Sequence, residues 1–300
     1  MPVINTNISA LYAQASMASN SRQINNLMQD LSTGKRINGA ADDSAGLSIS
    51  SRLTSQIRGL NQAIRNSNDA ISLIQTAEGA TDTITNMLQR MRELTIQAGN
   101  GTNGTDDKAA LAAEYSALAL EINRVAVTTT WGGVAILNGG AAVGSGTAPT
   151  AASSKTFTFV ADASATASGN ISIDIKNMVP GASAGFGITV KDGGTAAQGT
   201  LLSTVTTAEA TTLVGMLDAS INYVNTARSS MGATINRLQY TIDNLTNIAT
   251  NSAASRSRIE DVDYSLATTE LARRNIIQQA ATAMLSQANQ QPQMVLQLFR

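Results

Sequence analysis

The sequence predicts a mainly α protein: a long antiparallel helical coiled-coil or bundle rod, its N- and C-terminal helices paired, with a small β-hairpin-rich outer portion. Three observations carry this. From Ile8 to Val125 and again from Leu217 to the end, apolar residues recur in alternating steps of four and three, the spacing of one helix face. The hydrophobic fraction is 43% but aromatics are only 3%, so small aliphatic side chains suited to helices packed side by side dominate. Between the helical halves, Phe157 and Phe159, then Ile171, Ile173 and Ile175, alternate with polar residues at period two.

The first helix is expected over about Ile8 to Leu31. It carries Ile8, Leu11, Ala15, Ala18, Ile24, Leu27, Met28 and Leu31 on one side, and Asn7 or Thr6 caps it. "STGKRINGAADDSAG", residues 32–46, breaks the pattern with glycines and paired acids and reads as a junction. Leu53, Ile57, Leu60, Ile64, Ser67, Ile71 and Ile74 form a heptad seam with one polar member. After Glu78-Gly79 the spacing resumes at Ile84, Leu88, Met91 and Thr95 and stops at "GNGTNGTDD", which has loop composition. A third helix holds Leu111, Tyr115, Leu118, Ile122 and Val125.

From about Asn138 the composition turns to Gly, Ala, Ser and Thr, and the period-two stretches are expected to pair as hairpins. Low complexity resumes at residues 191–200. Thr206 and Glu209 have capping-box spacing at the start of a long helix. Its seam is Leu217, Ile221, Val224, Arg228, Met231, Ile235, Leu238, Ile242, Leu245 and Ala249. "SRSRIEDVDYS", residues 255–265, interrupts it, and Ser257 with Glu260 has capping-box spacing for a last helix. The stripe of that helix includes Leu266, Ile277, Ala281, Met284, Ala288, Val295 and Leu298.

Whole function classes drop out on composition. A net charge of -1 offers no electrostatic footprint for nucleic acid or an anionic membrane. Cysteine and histidine are absent, which removes disulfides, thiolate chemistry and any Ser-His or Cys-His pair. No metal or cofactor is expected. The acid pairs Asp42-Asp43, Asp106-Asp107 and Glu260-Asp261 sit beside expected helix starts, where they complement the helix N-terminus rather than form a catalytic pair. "GSG" at 144–146 and "GFG" at 185–187 complete neither a dinucleotide fingerprint nor a phosphate loop.

The last residues, "QMVLQLFR", pose a physical problem. Val295, Leu296, Leu298 and Phe299 would each gain roughly 1.5–3 kcal/mol from full burial. Two covers are open: the stripe folds back onto the inner helices as ordinary core, or neighbouring copies supply it. The N- and C-terminal stripes of residues 8–31 and 260–299 would lie antiparallel, and a helix pair has only one shared seam. Identical copies meeting head to tail without closure would bury the excess and build a helical filament.

"INTNISAL", "LSTGKRINGAADDSAGLSIS", "RSRIEDVDYS" and "LSQANQQPQMVLQLFR" resemble the defining stretches of bacterial flagellin, and with the helical seams the resemblance covers about two thirds of the chain. It implies a filament subunit of short form with a reduced outer region. Residues 1–42 and 257–300 would be the innermost terminal coiled-coil domain. Residues 43–138 and 206–256 would be the helical bundle of the filament's outer core, and 139–205 a short β-rich surface portion. Phe299, where leucine is common in the family, and Met294 depart from the pattern without breaking the stripe.

The resemblance further implies a non-enzymatic, extracellular protein of the bacterial flagellum. It would leave the cell unfolded through the type III flagellar export apparatus with an export chaperone, and polymerise at the distal tip beside the flagellar cap and hook-associated proteins. The N-terminus has neither a basic n-region nor a continuous apolar h-region, so no cleaved signal peptide is expected. The implied polymerisation interface is Ile8, Leu11, Ile24, Leu27, Leu31, Leu266, Ile277, Met284, Val295, Leu296, Leu298 and Phe299. "LQRMRELTIQ" resembles the stretch by which some flagellins are detected by the flagellin-sensing Toll-like receptor, and the matching positions are Arg90, Leu94 and Glu114. Their plain alternative is structural, an exposed ion pair and a packed leucine. The competing identity is a hook-filament junction protein, which shares flagellin-like ends.

Overall fold

The computed structural model describes residues 7–139, 154–162, 169–180, 202 and 206–298. In chain order these form α1 (Ile8–Thr33), α2 (Ser44–Ala98), α3 (Thr105–Thr128), β1 (Thr130–Trp131), β2 (Val134–Ala135), β3 (Ser154–Val160), β4 (Asn170–Lys176), α4 (Thr207–Glu260) and α5 (Tyr264–Leu298). The chain divides into two units, Met1–Ile57 with Ala249–Arg300 and Arg58–Ile248, so α2 and α4 contribute residues to both. The boundaries expected at 42 and 257 fall inside the first unit.

Helix ends follow local chemistry. Asn7 caps α1 by accepting the Ala10 N–H at 3.1 Å, and left-handed Gly34 ends it with an N–H to the Asp30 carbonyl. Asp43 accepts the Gly46 N–H at 2.8 Å at the start of α2. A Cβ on Gly46 would come within 2.4 Å of an Asp43 oxygen and 2.7 Å of Ile37 Cδ1, so a larger residue here has to displace the capping carboxylate and the Ile37 side chain. Thr206 and Glu209 form the expected reciprocal cap on α4: the Thr206 N–H donates to Glu209 at 2.8 Å and the Glu209 N–H to Thr206 Oγ1 at 3.4 Å. The backbone N–H of Thr206, more than its hydroxyl, holds the Glu209 carboxyl below its ordinary pKa.

Two sequence expectations need correction. The helix runs through Glu78-Gly79 without a break, because one glycine removes no backbone hydrogen bond and costs only about 1 kcal/mol against a 55-residue ladder. Ser257 does not cap the last helix. It lies inside α4, which continues to Glu260, and Asp263 caps α5 instead, accepting the Ser265 and Leu266 N–H groups at 2.9 and 3.2 Å. Glu260 therefore sits at a helix C-terminus, where its charge opposes the dipole.

The second unit holds the main core. On α2 the buried positions include Leu60, Ala63, Ser67, Ala70, Ile74, Ala77, Thr81, Ile84, Leu88, Met91, Thr95 and Ala98, an unbroken heptad series, with Leu73, Thr85 and Leu94 buried as well. Tyr115 and Ile122 of α3 and Leu217, Val224, Met231 and Leu238 of α4 face it. The alternate seam members Ile64, Ile71, Ile221 and Ile235 are half-buried. Burial pushes the Tyr115 phenol above its ordinary pKa.

β3 and β4 pair antiparallel, Phe157 opposite Ile173 and Phe159 opposite Ile171, with Ile171, Ile173 and Ile175 buried in the core. β1 and β2, which sequence reading passed over, make a two-residue hairpin in which Gly132 and Gly133 both take positive φ, 56° and 81°. That is the primed turn that matches strand twist, and Trp131-Gly-Gly-Val134 was its signal. The low-complexity stretches at 140–153 and 191–200 lie outside the described residues.

Candidate assembly surfaces and an exposed charged cluster

In the first unit, α1 and α5 lie antiparallel, and two asparagines set their register. Asn7 Nδ2 donates to the Ala288 carbonyl at 2.8 Å and Asn20 Nδ2 to the Arg274 carbonyl at 2.9 Å. Residues 7 to 20 of α1 thus match 288 to 274 of α5, thirteen positions against fourteen. The shared face of α1 is Ala13, Met17, Asn20, Ile24, Leu27 and Leu31; that of α5 is Ala267, Leu271, Arg274, Gln278, Ala281, Leu285 and Ala288. Both follow four-three spacing, so the pair is one coiled-coil seam.

A different set of apolar residues faces outward. Ile8 and Leu11 are 50% and 57% exposed, and Leu266, Ile277 and Met284 are 71%, 38% and 66% exposed. The expected interface residues therefore divide. Ile24, Leu27 and Leu31 are half-buried in the seam, while Ile8, Leu11, Leu266, Ile277 and Met284 stand open. Val295, Leu296 and Leu298 belong to the last turns of α5, and Phe299 lies outside the described residues.

The junction motifs "STGKRIN" and "RSRIED" meet at the end of this seam, a contact that neither motif announces. Lys35 Nζ pairs with Glu260 at 2.5 Å, and the Ser50 hydroxyl donates to the same carboxylate at 2.6 Å. Arg36 donates its backbone N–H to the Glu260 carbonyl at 2.7 Å and its guanidinium to the Ile259 carbonyl at 2.8 Å. The Val262 N–H returns to the Gly34 carbonyl at 3.1 Å. These donors offset the unfavourable place of Glu260 at a helix end. Lys35, and after it Ser50, hold its carboxyl below the usual glutamate range.

In the second unit, Arg90 joins two helices. Its Nε donates to Glu114 of α3 at 2.8 Å and its Nη1 to Glu93 at 3.1 Å, all three at the surface. Hydrogen bonding to Glu114, then Glu93, raises the Arg90 pKa. Leu94, grouped with them on motif likeness, is 0% exposed and packs in the bundle core instead of standing at the surface.

Comparison with known proteins gives one consistent result. Residues 4–142 match the family profile of the bacterial flagellin N-terminal helical region, and residues 214–299 that of the C-terminal helical region. The chain is similar to a flagellin of Bacillus subtilis, 43% identical over 312 residues, covering 99% of each chain. It is also similar to a flagellin of Halalkalibacterium halodurans, 40% identical over 305 residues, covering 99% of this chain and all of that one. Among solved structures, a Vibrio parahaemolyticus protein described as flagellar hook-associated shares the fold at TM-score 0.57 and 15% identity, covering 73% of this chain and 100% of that one.

Proposed function

This chain belongs to the bacterial flagellin family, as an extracellular structural subunit that polymerises into the flagellar filament and not an enzyme, and we propose that its polymerisation surfaces are the open faces of α1 and α5. It is a short form with a reduced outer region. The observation that carries the proposal is the split of apolar residues. One stripe is spent on the α1–α5 seam, while Ile8, Leu11, Leu266, Ile277 and Met284 remain open on the same two helices. Two packed helices cannot hide both stripes, and copies of the chain supply the missing cover. Val295, Leu296, Leu298 and Phe299 complete the interface in this reading.

Within the filament, the paired termini form the innermost layer, residues 1–42 with 257–300, and the bundle of 43–138 with 206–256 the shell around it. Residues 139–205 face outward. Export proceeds through the type III flagellar apparatus with a chaperone, and growth occurs beneath the cap with hook-associated proteins at the base. Arg90 and Glu114 form the surface read by the flagellin-sensing Toll-like receptor, and Leu94 acts through packing that holds them in place. The hook-filament junction role is the weaker reading, since likeness at 15% identity speaks to fold alone.

The test is assembly of Leu11→Asp, Met284→Asp and a chain lacking Val295 to Arg300, followed by sedimentation and electron microscopy. Each is expected to fold its inner bundle, by circular dichroism, and to form no long filaments. Normal filaments from all three would overturn the proposed surfaces.

A further inference from the structure

The chain contains four Asn-Gly pairs, at Asn38, Asn100, Asn103 and Asn138. Such pairs age chemically in water. The glycine backbone nitrogen attacks the asparagine Cγ, ammonia leaves with the amide nitrogen, and a succinimide ring closes. Water then opens the ring at either carbonyl, giving aspartate or isoaspartate, so the net change is one water in and one ammonia out. The attack needs a free glycine N–H and a side chain able to rotate onto it, which glycine's open φ/ψ range favours.

Three of the four are restrained. Asn38 Nδ2 donates to Asp30 at 2.8 Å and to the Lys35 carbonyl at 2.9 Å, and the attacking Gly39 N–H is itself held by Asp42 at 2.9 Å. Asn103 Nδ2 donates to the Gln97 carbonyl at 2.6 Å, and the Gly104 N–H is held by Asp107 at 3.1 Å. Asn138 is buried at 2% exposure. Asn100 differs on every count. It is exposed, and open space surrounds the Cα of Gly101. Among the described residues, neither its side chain nor the Gly101 N–H has a hydrogen-bond partner.

We propose that Asn100, in the turn between α2 and α3, is a self-modification site that deamidates to aspartate and isoaspartate in the folded protein while the other three Asn-Gly pairs are protected. The reactants are the chain and solvent water alone. A filament subunit outside the cell is beyond cytoplasmic turnover, so the change accumulates with age. It adds negative charge to the turn that leads into the acidic first turn of α3, Asp106 and Asp107, and the isoaspartate form lengthens the backbone next to Gly99, whose carbonyl accepts the Thr207 hydroxyl at 3.3 Å.

The experiment incubates the full chain in mildly alkaline buffer, native and in denaturant, and follows tryptic peptides by mass spectrometry with fragmentation. The peptide of residues 93–108 carries Asn100 and Asn103 together, and that of 37–52 carries Asn38, which supplies internal controls. In the native chain, Asn100 is expected to deamidate about tenfold faster than Asn38 or Asn103, since each restraint costs a hydrogen bond to release. In denaturant the four rates converge, and Gly101→Ala slows Asn100 alone. Equal native rates at Asn38, Asn100 and Asn103 would overturn the proposal. So would an Asn100 that stays intact in the folded chain while reacting in denaturant.

Discussion

Asn20 donates its Nδ2 hydrogen to the Arg274 carbonyl at 2.9 Å within the α1–α5 seam, while its Oδ1, buried with it, has no partner among the described residues. A half-satisfied amide in an apolar seam loses stability and gains specificity, because any slip of the helices breaks its one bond. Asn20→Leu is therefore expected to stabilise the terminal helix pair by about 1 kcal/mol while loosening its register. The natural chain lacks cysteine, so engineered pairs read the register cleanly. Disulfide yield between positions 24 and 271 should fall in the leucine variant, with out-of-register yields rising. An unchanged crosslinking pattern would remove the register role.

Glu260 links stability to pH at the junction. Its folded pKa is lowered, so its contribution is fully present above the ordinary glutamate value of about 4.3 and is lost as pH falls through the lowered folded value. Glu260→Gln is expected to destabilise the first unit at neutral pH and to flatten its loss of stability in acid. Amide exchange of α1 and α5 across a pH series measures both. A variant with the parent's acid profile would assign that profile to other carboxyls.

Gly46 and Gly79 both lie in α2 and should respond oppositely to alanine. A Cβ at Gly46 collides with Asp43 and Ile37, whereas at Gly79 it meets nothing within 4 Å. Gly46→Ala is expected to cost about 1–3 kcal/mol and Gly79→Ala to add about 0.5–1 kcal/mol. Denaturant unfolding of the two variants reads the difference. Stabilisation by both would mean that the Asp43 cap relaxes freely.

The residues proposed for receptor recognition, Arg90, Leu94 and Glu114, separate surface from core. Leu94→Ala, at 0% exposure, is expected to cost about 2–5 kcal/mol and to weaken receptor signalling through misfolding. Arg90→Ala with Glu114→Ala removes an exposed pair and should leave thermal unfolding near the parent's while signalling falls. Full signalling by a folded double variant would leave the pair a structural tie between α2 and α3.

Polymerisation should protect α1 and α5 most. Amide exchange over residues 8–33 and 264–288 is expected to slow strongly in filaments relative to monomer, while α2 near Leu88 and Met91, already buried, changes little. Equal protection of the terminal helices in both states would place the interface elsewhere.

Helix content, the order of elements, the β3–β4 strands and the flagellin motifs were legible in the sequence because periodicity and turn chemistry are local. The α2 core was legible at Leu60, Ile74 and Leu88 but not at Ala63, Ala70 or Ala77, whose small side chains weigh little in any apolar pattern and mark instead where helices approach closely. Periodicity also read the α5 stripe through Leu266, Ile277 and Met284, the face the folded chain leaves open. By itself, then, the sequence determined which helices form and that their apolar surface exceeds one shared seam. Only the tertiary structure decided which stripe the chain spends on itself. That choice rests on the register set by Asn7 and Asn20 and on the meeting of Lys35 and Ser50 with Glu260, contacts between residues more than 200 positions apart. Spacing along a chain carries no record of such pairs.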